Sequence, residues 1–283
     1  MEDKMLKVGN TPLLRINTAS GLEVLVKDES RNPFGTFKDR KSRDVAEFAK
    51  AAEIDYVMAI TSGNYGFSLS NFLRDLGINT ILFVPYGIDR RVLELLEQKA
   101  TVIPVDLEEQ KLTTEKLESI AGSRLKLAGN KVINATNFYD DAYLDIFREI
   151  KREIGKQDKE VDYVILPCGS GELFIAALRY YYLSNTKVIA VTTDNRSTKA
   201  TMLYAKYRPS LDRILAHGDS TRYGLIRANE DEILRAYGWA KEKINCEPSS
   251  AAAFAAFERH KGIFKPSDTI VVLNTGNGLN NFS

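Results

Sequence analysis

LEVLVKDESRNPFGTFKDRKSRDVAEFAKAA, residues 22–52, reads in three parts. Residues 22–27 form a short β-rich run, residues 32–35 a Pro/Gly turn, and over 38–52 the apolar positions Val45, Phe48 and Ala49 fall at helical spacing. The same strand–turn–helix unit returns along the chain. Further β-rich runs occupy 56–60, 80–84, 101–105, 161–166, 187–192 and 269–273, and helical patterns occupy 67–76, 89–99, 173–182, 230–243 and 249–260. This alternation predicts an α/β fold of mainly parallel sheets with helices on both faces. Ligands in such folds bind beyond the carboxyl ends of the strands, so the turns that follow strands are where chemistry is expected.

Composition narrows the partners. With 283 residues, 44% of them hydrophobic, the chain can bury a core in one large domain or two modest ones. Lys plus Arg number 39 against 38 for Asp plus Glu, so no charge excess calls for nucleic acid or an anionic membrane. Cys168 and Cys246 stand far apart with no second ligand-type residue at metal spacing, and neither a disulfide framework nor a metal site is expected. The opening MEDKMLKVGN lacks the apolar run of a signal peptide, and no stretch approaches membrane-spanning length, which together predict a cytoplasmic protein. No internal repeat or Pro/Gly-rich linker divides the chain, so any domains must be intimate.

Four turns carry the candidate chemistry. In NPFGTFKDR (32–40), Lys38 stands at a helix start. A lone loop lysine is ordinarily a surface residue, but at a helix N-terminus the backbone dipole favours the neutral amine that Schiff-base formation needs. TSGNYG (61–66) sets Thr61, Ser62, Gly63 and Asn64 between a strand and a helix, either as a simple N-cap or as a receptor for a carboxylate. PCGSGEL (167–173) brings Gly169, Ser170, Gly171, Glu172 and Leu173 to another helix start, where backbone amides can converge on an anion such as a phosphate; the spacing is neither that of a P-loop nor that of a dinucleotide fingerprint. TGNGL (275–279), after the last apolar run, is either a terminal turn or a site where the Thr275 hydroxyl meets a ring atom.

Taken in order, these turns resemble those of the fold-type II pyridoxal-phosphate (PLP) enzymes, the group of threonine synthase, cysteine synthase and threonine dehydratase. The resemblance spans nearly the whole chain: GNTPLLR (9–15), NPFGTFKDR, the SGN turn, VPYG (84–87), the glycine turn after Pro167, and EPSSAA (247–252). It implies a two-lobed α/β architecture, with 1–41 and 132–283 as a larger lobe and 42–131 as a smaller mobile one, the active site drawing on both, and a homodimer. It implies pyridoxal 5'-phosphate as cofactor and a small amino acid as substrate. Lys38 would carry the cofactor as an imine and move the substrate's α-proton, and Asn64 would support the ring hydroxyl. Gly169, Ser170, Gly171, Glu172 and Leu173 would cradle the cofactor phosphate, and Thr275 would meet the pyridine nitrogen. Thr61, Ser62, Gly63 and Asn64 would take the substrate carboxylate, joined by Asn137 of NATN (134–137). A hydroxyl at the ring nitrogen leaves a mild electron sink, which suits elimination and replacement.

Within the group, the lysine motif, EPSSAAAFAA (247–256) and TGNGL lean toward threonine synthase, the conversion of O-phospho-L-homoserine and water to L-threonine and phosphate. Threonine or serine dehydratase and cysteine-synthase-type β-replacement are the alternatives, followed by a non-catalytic subunit or sensor. Two positions depart from the pattern. Glu172 stands where the group has glycine or a small neutral residue, and it is expected to lower PLP affinity without abolishing it. After Asn137 the chain reads FYDDAYLDIF, without the Gly-Gln-Lys-Thr-like stretch of threonine synthases.

Overall fold

A computed structural model describes residues 6–18, 20–107, 112–136, 140–157, 159–204, 208–217, 221 and 223–281. Strands and helices alternate through them. The first half holds β1 (Leu13–Asn17), β2 (Glu23–Asp28), α1 (Lys38–Ala51), β3 (Tyr56–Ile60), α2 (Asn64–Arg74), β4 (Asn79–Pro85), α3 (Arg90–Glu97), β5 (Thr101–Val105), α4 (Thr114–Gly122) and β6 (Val132–Asn134). The second half holds α5 (Leu144–Gly155), β7 (Tyr163–Pro167), α6 (Glu172–Tyr180), β8 (Lys187–Thr192), α7 (Pro209–His217), β9 (Tyr223–Arg227), α8 (Glu230–Ala240), α9 (Pro248–His260) and β10 (Ile270–Asn274). The chain forms two compact units, Met1–Phe37 with Tyr143–Gly278, and Lys38–Ala142 with Leu279–Ser283.

The first unit is built on a six-stranded sheet of order β1-β2-β10-β7-β8-β9, parallel throughout except for β1, which runs antiparallel to β2 at the edge. Every residue of β10 is buried, as a continuous apolar run covered on both faces requires. Against the sheet lies α9, whose first helical residue is Pro248 and whose residues 249–257 are all buried. Its alanines let the helix approach β7, β8 and β10 closely, and Phe254 and Phe257 fill the remaining space among Val24, Ile165, Val191 and Val272. On the same layer α8 is fixed at its start by a capping box, Asn229 accepting from the Glu232 amide while the Glu232 side chain accepts from that of Asn229.

The second unit carries a parallel four-stranded sheet, order β5-β4-β3-β6, with Met58, Ile81, Phe83, Ile103, Leu117 and Ala121 in its core. Helices α1 and α2 pack together, joined by a buried hydrogen bond of 2.8 Å from Ser68 to Ser42. Residues 132–134 belong to this sheet through the pairing of β6 with β3. Among the described residues no helix is long and apolar enough to cross a membrane. Three strands lie outside the runs that the sequence pattern predicts, namely β1, β6 and β9. They are short edge strands, half-buried at most positions, so their patterns lack the apolar density of the central strands.

Candidate active site

In the first unit a buried polar network fixes the turn that leads to Lys38. Glu29, fully buried, accepts from the Thr11 hydroxyl at 2.6 Å and from Asn32 Nδ2 at 2.8 Å, while Asn32 Oδ1 accepts from the Gly9 amide at 2.9 Å. One strand-end away, Lys27 Nζ donates to the Thr11 carbonyl at 2.6 Å and to Glu149 Oε2 at 2.7 Å, and Glu149 Oε1 accepts from the Asn10 amide at 2.9 Å. The GNTP stretch is therefore a structural clamp on the NPFG turn. Sequence reasoning gave Lys27, Glu29 and Glu149 no role; Glu149 lies 122 residues from Lys27, and no local pattern links them.

The NPFGTF turn is then joined to the TGNG turn beyond β10. The Phe37 amide donates to the Thr275 carbonyl at 2.9 Å, the Asn277 amide donates to the Gly35 carbonyl at 3.0 Å, and Thr36 and Gly276 form an antiparallel bridge. Lys38 is the next residue in the chain and the first of α1. Thr275 itself is buried, with Oγ1 2.8 Å from Ser250 Oγ in the first turn of α9. Sequence reasoning gave Ser250 no role: EPSSAA marked the stretch, but nothing in it tells which hydroxyl turns toward residue 275.

At the end of β7 the chain turns through Gly169, Ser170 and Gly171 into α6. A Cβ on Gly169 would lie 2.1 Å from the Met202 carbonyl oxygen, and one on Gly171, which has φ of 101°, would lie 2.5 Å from the Leu211 nitrogen. Neither position admits a side chain. The Leu211 amide donates to the Ser170 carbonyl at 3.1 Å, which holds the turn from outside. Gly171 caps α6 without any side-chain hydrogen bond. Glu172, half-buried, is the first residue of α6 and Leu173, buried, the second. Cys168 beside the turn is no nucleophile, because burial pushes its thiol up to about 12 despite the opposing pull of Arg208.

In the second unit Thr61 to Asn64 follow β3 in one turn. The buried Thr61 Oγ1 accepts from the amides of Gly63 at 3.0 Å and Gly66 at 2.9 Å, leaving its proton as the one group it can still offer. Ser62 is exposed, Gly63 is the N-cap of α2 with no side-chain cap, and the buried Asn64 is the first helical residue. In α1 the buried Lys41 donates to the Thr136 carbonyl at 2.8 Å and lies 5.0 Å from the centre of the Tyr65 ring. Asn134 is engaged structurally, accepting from the Thr136 amide and donating to Thr114 Oγ1 at 3.0 Å. Asn137 lies outside the described residues.

Two α/β units built on mainly parallel sheets, a lysine at a helix start, a glycine turn at another and a buried hydroxyl after the last strand match the scaffold of a fold-type II PLP enzyme. The chain belongs to the pyridoxal-phosphate dependent enzyme family, whose sequence model matches residues 4–276, and its cofactor is pyridoxal 5'-phosphate. The threonine synthase of Synechocystis sp. is 26% identical over 96% of this chain and 77% of that protein. The cysteine synthase of Dictyostelium discoideum is 32% identical, over 35% of this chain and 29% of that protein. Among solved structures, a hydrogen sulfide-producing enzyme from Fusobacterium nucleatum matches with a TM-score of 0.75 over 98% of this chain and 97% of that one; at 22% identity it speaks for the fold. The residues present fit the cofactor, since the α6 turn has no room for side chains and no side chain capping the helix.

Proposed function

We propose that the protein is a PLP-dependent lyase that acts on a small amino acid by elimination and replacement, with threonine synthase activity, O-phospho-L-homoserine plus water giving L-threonine plus phosphate, as its reaction. The observation that carries the choice is the extent of likeness: the resemblance to threonine synthase runs over 96% of this chain, that to the Dictyostelium cysteine synthase over 35%. The lysine motif, EPSSAAAFAA and TGNGL support the same choice.

When bound, pyridoxal phosphate takes up the electron pair left behind as a substrate's α-proton is removed. The backbone amides of residues 169–173 receive its phosphate at the N-terminus of α6. Asn64 supports the ring hydroxyl, and Thr275 meets the ring nitrogen. Thr61 offers its remaining proton to the substrate carboxylate, alongside Ser62 and the backbone at Gly63. The Lys38 amine carries the proton between the α-carbon and the departing or entering group.

Borohydride reduction of the holoenzyme should fix the cofactor to the peptide containing Lys38. Lys38→Ala should still bind PLP through the phosphate turn while losing turnover by several orders of magnitude, because nucleophile and base vanish together. Labelling of another lysine, or an active Lys38→Ala, would refute the assignment. Products then decide the reaction: threonine and phosphate from O-phospho-L-homoserine support the synthase, whereas ammonia and a keto acid identify a dehydratase and β-replacement with acetate release a cysteine-synthase type.

A further inference from the structure

We propose that Ser250 is a positioning residue that determines whether Thr275 can present an acceptor, as well as a donor, to the ring nitrogen of the cofactor; this rests on the reading of Thr275 given above. The argument is an accounting of protons. Ser250, the third residue of α9, is fully buried, and its Oγ accepts from the Gly276 amide at 3.0 Å, so that lone pair is committed. Its single proton has two available acceptors, Thr275 Oγ1 at 2.8 Å and the Gly276 carbonyl at 3.0 Å. The Gly276 carbonyl already receives the Glu247 amide at 3.0 Å, so it is served whichever way the Ser250 proton turns.

Two arrangements are therefore complete. In one, Ser250 donates to Thr275 and Thr275 aims its own proton outward, as a neutral ring nitrogen requires. In the other, Ser250 donates to Gly276, Thr275 donates inward to Ser250, and the outward lone pair of Thr275 accepts from a protonated ring nitrogen. Removing the Ser250 hydroxyl affects the two unequally. An outward-donating Thr275 merely loses a partner for a lone pair, which costs little. An outward-accepting Thr275 keeps a buried proton with no acceptor, which carries the usual penalty for a stranded donor. Ser250 thus raises the pH at which the ring nitrogen takes up a proton.

The charged and titratable groups near this pair are Asp28, Arg31, Cys246 and Glu247. Asp28 accepts from Asn274 Nδ2 at 2.7 Å, at the end of β10, and is paired with Arg31 at 3.1 Å. Glu247 is the N-cap of α9. The Cys246 thiol stays protonated, pushed up to about 12 by burial and by Glu247 and Asp28.

The test is a pH titration of the ring-nitrogen ¹⁵N signal in holoenzyme reconstituted with labelled PLP, for wild type, Ser250→Ala, Thr275→Val and the double variant. Ser250→Ala should protonate its ring nitrogen about one pH unit lower than wild type, the shift that one stranded hydrogen bond represents. Thr275→Val should shift the midpoint down at least as far, and adding Ser250→Ala to it should change nothing further. An unmoved midpoint in Ser250→Ala, with Thr275→Val shifted, overturns the proposal and leaves the role of Thr275 standing. A wild-type midpoint in Thr275→Val overturns that role as well. A wild-type ring nitrogen that stays unprotonated to the acid limit of the intact holoenzyme also overturns it, since Thr275 would then be only a donor. Should Ser250→Ala fail to take up cofactor, Ser250→Cys keeps the volume with a weaker hydrogen-bonding group, and its midpoint must move the same way or the proposal falls.

Discussion

Glu172 is the residue at which local rules conflict. As the first residue of α6 it complements the helix dipole, which favours a carboxylate in a first turn. The same dipole is what the cofactor phosphate would use, and two anions at one helix end repel each other. Relieving that conflict should strengthen binding: Glu172→Gly and Glu172→Gln are expected to bind PLP a few-fold to about tenfold more tightly than wild type in a fluorescence titration, the range of one exposed dipole or charge contact. Equal affinities in all three would mean that the Glu172 charge does not act on the phosphate.

At the scale of elements, the decisive joints are those between strand ends and turns. Lys27, the penultimate residue of β2, is fully buried and held by Glu149 of α5, with Glu153 at 3.7 Å. Lys27→Met would remove the buried cation that pairs with Glu149, and urea unfolding should report a loss of about 3–5 kcal/mol, the usual cost of breaking one side of a buried ion pair. Glu149→Gln, which keeps an acceptor for Lys27 or Asn10, should cost less. These joints also mark where the sequence stopped being readable. Tyr56–Ile60, Thr101–Val105 and Lys187–Thr192 were legible to the residue because apolar β-rich runs between turn signals have few other readings. Lys38 was legible as a helix start, and residues 169–173 as a strand-to-helix glycine turn, because Gly and Pro punctuate both. Glu29 and Glu149 were not, since an acidic residue destined for burial looks like a surface one until its distant partners are known. Ser250 was hidden for a related reason: of two adjacent serines at one helix start, only the tertiary fold reveals which one meets Thr275.

For the molecule as a whole, two buried thiols give folding a defined dependence on alkaline pH. Burial raises Cys168 from 9.0 to about 12, and burial with Glu247 and Asp28 raises Cys246 over the same interval. Above pH 9 the unfolded chain releases these protons while the folded chain retains them, so the folded state binds more protons and stability falls as pH rises. Thermal melting should therefore show stability intact below about pH 9 and declining toward about pH 12, with a shallower decline in the Cys168→Ala/Cys246→Ala double variant. An identical slope in that variant would assign the alkaline loss to other groups.

The place of β10 has one more consequence. It lies between β2 and β7, parallel to both, although it is the last strand in the order of the described chain. On a translating ribosome, β2 and the NPFGTF turn leave the exit tunnel long before the strand that completes their hydrogen bonding has been made. The nascent chain thus carries an open, strand-wide gap between β2 and β7 until β10 is made, and neither the carbonyl that receives the Phe37 amide nor the hydroxyl of Thr275 exists before residue 275 is joined. Vectorial synthesis delays the joining of these two turns until β10 has been made, and over that interval the exposed edges of β2 and β7 are where chaperones would be needed.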